Sequence, residues 1–519
     1  MRGAWWREGV FYQIYPRSFQ DSNGDGVGDL AGITARLDHL NDGTPKSLGV
    51  DAIWLSPFYR SPMADFGYDV SDYRDVDPTF GDLTDFDRLL AEAHRRGIRV
   101  IVDLVPGHTS DQHPWFIAAR SSREDPKRDF YVWADPPRGG GAPNNWRAVF
   151  KRVGSAWTLD QKSGQYYLHH FLSEQPDLNW WNDKVRAEID DVMRFWLDRG
   201  VDGFRIDVAS GLIRDERLRD NSPFHFRGRP RRRNWDLEEV HDIHRRWRKV
   251  LDSYDGDRMA VGEIGVRDLR RLVRYYGDDD ELQLSFNFLF LEQPWIAERF
   301  RRVVEEWERL LPEHAWPDYT LSNHDRSRAV TRYGPERASV AAVMLLTLRG
   351  TPFIYYGEEI GMTDVPIPPD RVVDIDGRDP ERTPMQWDAS PNAGFTAGDP
   401  WLPLAADYAK RNVTAQRDDP ASLLSLYRRL NWLRKSSPAL RRGSYRTFPA
   451  PRGVFAFARE ADGERVLVAL NFTKTAQVVS LGTGDAEVAL STDHARDAEP
   501  LALARVELSP DEGVVLAPR

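Results

Sequence analysis

The chain has no cysteine among its 519 residues, which removes disulfides, thiolate metal sites and cysteine nucleophiles at once. It has no run of about 18 or more apolar residues, the least a membrane-spanning helix needs. Its first residues, MRGAWWREGV, carry no apolar stretch of the signal-peptide kind. The expectation is a soluble, cytoplasmic protein. A basic excess is missing too: 71 Lys and Arg stand against 81 Asp and Glu, a net charge of -10. Neither nucleic acid nor an anionic membrane surface is therefore expected as a main partner, and a neutral ligand fits better.

What the chain does have is length and rings. With 41% hydrophobic residues over 519, one large domain with smaller attachments is the reasonable expectation. The 18 Trp, 18 Tyr and 24 Phe suit a protein that stacks the apolar faces of sugars on aromatic rings, although ordinary cores also use such residues.

Residues 83 to 106 read as a helix feeding a buried strand. Thr84 and Asp87 are expected to form a capping box, Leu83, Phe86, Leu89, Leu90 and Ala93 fall at helical spacing, and Gly97 stops the helix before RVIVDLVP. The same grammar returns where Val185, Ile189, Val192 and Trp196 lead through Arg199-Gly200 to VDGFRIDVA, and where VAAVMLLTLRG leads to TPFIYYGEE. Eight apolar strand-like runs follow one another: FYQIYP (11 to 16), AIWLSP (52 to 57), RVIVDLVP (99 to 106), GFRIDVA (203 to 209), MAVGEI (259 to 264), ELQLSFNF (281 to 288), PDYTLSN (317 to 323) and TPFIYYGEE (351 to 359). Eight is the count of a (β/α)₈ barrel, and near-continuous apolar character suits parallel strands covered on both faces. A doubly wound open sheet is the alternative.

The stretch between the third and fourth runs is too long for one helix and is rich in Gly, Pro, Asn, Trp and Tyr, so an inserted subdomain is expected at 107 to 178. After residue 442 the period switches to two, and GVFAFARE, Asp462-Gly463 and RVLVALNF read as a hairpin of a small C-terminal β-sandwich, 443 to 519. The barrel would then comprise 1 to 106 and 179 to 442.

In such a barrel, function gathers at the carboxyl ends of the strands. Asp103 with His108, Arg205 with Asp207, Glu263, and His324 with Asp325 close four of the runs. Cleaving an acetal takes one carboxylic acid to protonate the leaving oxygen and one carboxylate to trap the oxocarbenium-like carbon. Arg205, two residues before Asp207, points to the same side of its strand and would hold Asp207 ionised and aimed. Glu263 has to stay protonated near neutral pH, and the charges of Asp207 and Asp325 nearby would raise its pKa.

The motifs DLVPGHTS (103 to 110), GFRIDV (203 to 208), GEI (262 to 264) and LSNHD (321 to 325), supported by FGYDVSDY, QPDLNWWN and RTPMQWD, resemble in type and order those of the α-amylase superfamily, glycoside hydrolase family 13, in its α-glucosidase and oligo-1,6-glucosidase branch. The resemblance implies Asp207 as nucleophile, Glu263 as general acid/base and Asp325 as transition-state stabiliser. It further implies that Tyr68, Asp69, His108, Arg205, His324 and Arg382 bind the non-reducing glucose, with Phe171 packed near it. An Asp69–Arg382 ion pair would wall off the pocket so that the enzyme acts on chain ends, with Arg378 one helical turn away as the alternative partner. QPDLN and Val208 resemble the α-1,6 or broad-linkage members.

One departure is Gly107, where the family has Asn before the His, which leaves His108 less firmly held or supported by something else. In DSNGDGVGD, oxygens of Asp21, Asn23, Asp25, the Val27 carbonyl and Asp29 have the spacing of an EF-hand loop and suit Ca²⁺, although the twelfth position is Gly32 where a closing Glu would stand. The resemblance places Ca²⁺, or Mg²⁺ instead, in this first loop; a plain Asp/Gly turn is the other reading, and no organic cofactor is implied. The reading is a retaining exo-α-glucosidase acting on short α-linked gluco-oligosaccharides, able to transglycosylate. The rivals are a sucrose or trehalose isomerase, a glucosyltransferase, and a non-catalytic scaffold relative.

Overall fold

The computed structural model describes residues 4–222 and 233–519. Its centre is an eight-stranded parallel sheet rolled into a barrel. Numbered along the chain, the barrel strands are β1 (Phe11–Ile14), β2 (Ala52–Leu55), β3 (Arg99–Leu104), β4 (Gly203–Ile206), β5 (Met259–Gly262), β6 (Leu284–Ser285), β7 (Asp318–Thr320) and β8 (Thr351–Tyr355). Each falls inside one of the eight runs read from the sequence. They pair in the order β6-β5-β4-β3-β2-β1-β8-β7, which excludes the doubly wound sheet. The two short strands, β6 and β7, meet without ladder bonds between them. There Trp54, Phe286, Trp316 and Phe353 belong to one buried cluster inside the barrel. Nearly every residue of the eight strands is buried, as staves with a core on one face and helices on the other must be.

The helix before β3 spans Leu83–Arg95 and buries Phe86, Leu89, Leu90 and Ala93. Its N-cap is Asp82, not Thr84: the Asp82 carboxylate accepts from the Thr84 and Asp85 N–H groups, and Asp85 closes the capping box. Asp82, two residues earlier, takes the cap because Gly81 (φ +116°) turns the chain into it. The helix Ala338–Thr347 before β8 is apolar on all sides and buried from Val340 onward. The C-terminal unit and the helix Leu423–Ser436 both pack against it: Arg459 of the former donates to the Thr347 carbonyl at 2.7 Å, and Arg434 of the latter donates to the Leu346 carbonyl at 3.1 Å. Two guanidinium groups thus satisfy carbonyls that the helix end leaves open.

Between β3 and the helix Asp183–Asp198, the chain forms its own three-stranded antiparallel sheet from Trp133–Ala134, Gln165–Leu168 and Trp157–Asp160. After the barrel, a six-stranded antiparallel sheet includes the hairpin Val454–Ala461 and Glu464–Asn471, and a two-stranded sheet, Gln477–Val479 with Val506–Leu508, completes the unit. The hairpin turns at Asp462 (φ +53°) and Gly463 (φ +82°), a two-residue turn whose twist matches its strands. Among the described residues no helix is long and apolar enough to cross a membrane.

Candidate active site

The carboxyl ends of β3, β4, β5 and β7 bring their acids together over the barrel. Asp103 and Arg205 are register partners on β3 and β4, so their side chains leave the sheet on the same side. Arg205 donates to Asp103 at 2.8 Å, to Asp207 at 2.7 Å and to Glu263 at 2.6 Å. One guanidinium therefore fixes three carboxylates from adjacent strands, a geometry its planar fork suits. Val208, next after Asp207, holds φ at +47°, costly for a β-branched residue. That conformation aims its N–H at Glu263, 3.2 Å away.

Burial pushes the Asp207 carboxyl well above the usual range; Arg205 opposes this, and Glu263 and Asp103 add to it. Burial raises Asp103 to about 6 against the pull of Arg205. For Asp325 burial is outweighed by the guanidinium groups of Arg378, Arg382 and Arg205, which hold it far below the ordinary carboxylate range. The charged group that Glu263 contacts is Arg205, because a single Arg lies between Asp207 and Glu263 and bonds both.

His324 is buried and lies parallel to Tyr68, with ring centroids 5.4 Å apart. Gln13 Nε2 lies 2.8 Å from His324 Nδ1, and His324 Nε2 lies 2.6 Å from the Tyr68 hydroxyl. Gln13 is the donor in the first contact, so His324 carries its proton on Nε2 and donates to Tyr68, whose hydroxyl donates to Asp103 at 3.2 Å. Burial keeps the His324 pKa well below its ordinary value, consistent with a neutral ring in that relay.

The wall at the closed end of the site is not the expected ion pair. Asp69 is fully buried and spends its carboxylate on its own loop, accepting from Ser61 Oγ at 2.9 Å, the Ala64 N–H at 2.8 Å and the Asp65 N–H at 2.9 Å. Arg382 donates to the His324 carbonyl at 2.7 Å and to Asp325 at 2.9 Å, and neither Asp69 nor Arg382 lines the cavity. The wall is Asp65 with Arg378, 2.5 Å apart. Arg378 also donates to Asp374 at 2.6 Å and to Asp325 at 3.1 Å. The alternative held open for Arg378 is the one the geometry supports, and Asp65 was missed.

His108 stands in the wall as well. Its Nε2 lies 3.0 Å from the Tyr68 carbonyl and 3.1 Å from Gln175 Nε2, and Gln175 also donates to Asp65 at 3.0 Å. Support for His108 thus comes from the Tyr68 carbonyl, which accepts from Nε2, with the Gln175 amide packed beside the same nitrogen, while a Cβ built at Gly107 meets nothing within 4 Å. The Phe171 ring lies 5.3 Å from His108 and 5.3 Å from Phe150. Tyr68, His108, Phe171, Asp207, Glu263 and Asp325 line one cavity of about 290 Å³, with Asp65 and Arg378 at its polar end.

Away from this site, the 21-to-29 loop is curled by its own side chains. Asp21 accepts from the N–H groups of Asn23 (2.8 Å), Gly24 (2.7 Å) and Gly26 (2.9 Å), Asn23 from Asp25 (2.9 Å), and Asp25 from Val27 (2.8 Å). Asp29 accepts from Ser22 N–H at 2.9 Å and caps the following helix through Gly32 N–H at 2.6 Å. Among the described residues, no three or more Asp, Glu or His side chains form a group that could hold a metal ion by themselves.

The model of the α-amylase catalytic domain matches residues 13–443. The chain belongs to the α-amylase family. Within that family it is 41% identical over 538 residues to the oligo-1,6-glucosidase of Parageobacillus thermoglucosidasius, covering 93% of this chain and 92% of the relative. It is 43% identical over 513 residues to a probable α-glucosidase of Rhizobium meliloti, covering 92% and 91%. Among solved structures of the family, the α-glucosyl transfer enzyme XgtA superposes with a TM-score of 0.91 at 42% identity, with 100% of both chains covered. The trehalulose synthase MutB of Pseudomonas mesoacidophila does so at 0.91 and 36%, again with both chains fully covered.

Proposed function

We propose that this member of the α-amylase family is a retaining, exo-acting α-glucosidase for short α-linked gluco-oligosaccharides and disaccharides. The observation that carries the reading is the cavity itself: three carboxylates meet over the barrel, and the Asp65–Arg378 pair closes the end beyond them. A pocket closed there takes a terminal sugar and refuses an internal one.

In this reading Asp207 attacks the anomeric carbon while Glu263 gives its proton to the leaving oxygen. Arg205 holds both side chains at bonding distance before substrate enters, so little reorganisation remains for the chemical step. The Asp207–glucosyl ester forms, the aglycone departs, and Glu263, now a carboxylate, takes a proton from the attacking water. Asp325, kept ionised by Arg378 and Arg382, places negative charge beside the oxocarbenium-like ring. Tyr68, His108, His324, Arg205 and Phe171 shape the glucose site, joined by Asp65 and Arg378; Asp69 and Arg382 act from behind it. The same intermediate passed to a sugar instead of water would give transfer or isomerisation.

We also propose that Asp21, Asn23, Asp25, the Val27 carbonyl and Asp29 hold Ca²⁺, or Mg²⁺ in its place. Hard oxygens at alternate positions and the side-chain-to-backbone turns that curl the loop support this. Such an ion would stiffen the junction with the chain near Thr396, whose hydroxyl donates to Asp21 at 2.5 Å. It supplies no step of the reaction.

The test is to incubate the protein with maltose, isomaltose, sucrose, trehalose and kojibiose, to resolve all products, and to follow the anomeric form of released glucose by NMR. Two displacements release α-glucose first. Initial β-glucose, or mixed oligosaccharides released early from starch, would overturn the reading.

A further inference from the structure

Arg17 belongs to the short helix Pro16–Phe19 that follows β1. It does not line the cavity, and no step of the reaction above uses it. Three rings enclose its guanidinium, whose central carbon lies 5.5 Å from the Phe66 centroid, 5.9 Å from Phe80 and 4.9 Å from Trp401. Among the described residues no carboxylate pairs with it, and its Nε is buried without a hydrogen-bond partner. Burial pushes the guanidinium below its ordinary value, and Tyr15, Asp77 and Asp25 offset only part of this. A buried cation without a counter-ion is costly, and aromatic faces take the place of the counter-ion here.

What Arg17 touches is the loop that carries Asp65. Its Nη1 lies 3.6 Å from the Met63 sulfur, and the ring of Phe66 forms one side of the enclosure. Met63 (φ +65°) and Phe66 (φ +48°) stand on either side of Asp65. Both are held in the left-handed region, which costs energy in a residue with a long side chain and persists only where the surroundings enforce it. Arg17 contacts both strained residues. The enclosure is itself anchored: Trp401 donates from its indole N–H to Ser18 Oγ at 3.0 Å and from its backbone N–H to the Gly26 carbonyl at 3.1 Å, and its ring lies 5.6 Å from that of Phe66. Between the two strained residues, the Asp65 carboxylate meets Arg378 at 2.5 Å and accepts from Gln175 at 3.0 Å.

We propose that Arg17 is a positioning residue for Asp65: its guanidinium, clasped by Phe66, Phe80 and Trp401, holds the 63-to-66 turn in the conformation that presents Asp65 to the terminal sugar. The proposal rests on the α-glucosidase reading above. Arg17 never touches substrate; it acts through the acid that does. A planar, weakly hydrated guanidinium lies flat among rings and reaches Met63 and Phe66 together, whereas the compact ammonium of a lysine keeps the charge and loses the breadth of contact.

The experiment is a double-mutant cycle on kcat/KM for a disaccharide that the full-length protein cleaves, with a thermal melt of every variant to establish that it is folded at the assay temperature. Arg17→Met keeps the apolar stem and removes the cation. It should lower kcat/KM about tenfold in the wild-type background, a fraction of the loss expected for Asp65→Ala itself. In the Asp65→Ala background the same change should cost less than about twofold, because a residue that acts through Asp65 has nothing left to position. Arg17→Lys, which keeps a cation among the rings, should lie about threefold below wild type. If Arg17→Met does not fold, Phe66→Leu replaces it in the cycle; it removes one ring of the enclosure, with a loss of about threefold expected beside Asp65 and less than about 1.5-fold without it. An equal loss in both backgrounds is what a role in stability alone would give, and it overturns the proposal. So does Arg17→Met within twofold of wild type, or Arg17→Lys no better than Arg17→Met. The α-glucosidase reading survives each of these results, whereas a wild-type protein that releases no glucose from any α-glucoside overturns that reading and the role of Arg17 with it.

Discussion

Replacing Asp65 by Ala and, separately, Asp69 by Ala distinguishes a residue that binds substrate from a neighbour that builds the loop. Asp65 is paired with Arg378 at 2.5 Å in a buried site, and removing one member of such a pair commonly costs about 2 to 5 kcal/mol. Arg378 retains Asp374 at 2.6 Å and Asp325 at 3.1 Å, so its charge is not stranded, and the lower part of that range applies. Asp65 also lines the cavity, and losing a charged group that hydrogen-bonds the bound glucose, about 2 to 3 kcal/mol of transition-state binding, corresponds to a loss of roughly 30- to 150-fold in kcat/KM. Asp69 instead accepts three hydrogen bonds inside its own loop, and losing it leaves the buried Asp65 N–H and the half-buried Ala64 N–H unpaired. That costs about 1 to 3 kcal/mol of stability per group. The assay is kcat/KM for maltose and isomaltose beside a thermal melt for each variant. Asp65→Ala should lose activity with a melting curve near wild type, and Asp69→Ala should melt several degrees lower. Asp65→Ala within threefold of wild type in kcat/KM, or Asp69→Ala equally inactive with an unchanged melt, would refute the assignment.

Stability should fall as pH rises from about 5 to 8. Burial pushes Asp318 and Glu381 up to about 8 and Glu358 to about 7, while the unfolded chain releases these protons near pH 4. Between those limits the folded state binds more protons, so raising pH favours unfolding; a melting temperature flat or rising from pH 5 to 8 would contradict this. Below about pH 4 the trend should reverse, as Asp374 and Asp202, held low by neighbouring Arg and His despite burial, take up protons. Chelation by EDTA should lower the melting temperature while activity at low temperature persists, since binding to the folded state alone stabilises it. An unchanged melt, with no metal by elemental analysis, would remove the ion from the 21-to-29 loop. Gln175→Ala should lower kcat/KM about tenfold by releasing both Asp65 and His108, whereas Gly107→Asn, with open space at its Cβ, should stay within threefold of wild type in steady-state assays.

The barrel was legible because parallel staves are buried on both faces and so read as apolar runs; all eight strands lie within those runs. The acids were legible because polar residues that close such runs have few reasons to be there other than the site. Arg205 was placed correctly by strand alternation, yet its hold on Glu263 was not, because cross-strand distances at the barrel rim are set by tilt and register, not by spacing along one strand. The Asp69–Arg382 pairing failed for a local reason. Met63, Phe66 and Gly67 all have positive φ, at +65°, +48° and +103°, and these turns invert which acid of the loop faces the cavity. No periodicity reports that. Gln13 could have been found, as an amide in the middle of the first apolar run. Gln175 lies in QPDLN, and nothing in its spacing shows that its amide reaches Asp65 and His108. Asp82 lies outside the apolar spacing that begins with Leu83, so periodicity alone does not mark it as the cap.

The central claim is that Asp207 carries the glucosyl unit between two displacements. A 5-fluoro-α-glucosyl fluoride, which forms such an ester faster than water clears it, allows the attachment point to be read by peptide mass spectrometry. The account predicts one added fluoroglucosyl group on the peptide containing GFRIDV, localised by fragmentation to Asp207 and absent in Asp207→Ala. Label on Glu263 or Asp325, or a protein that turns over the reagent with no covalent species on any peptide, would contradict it.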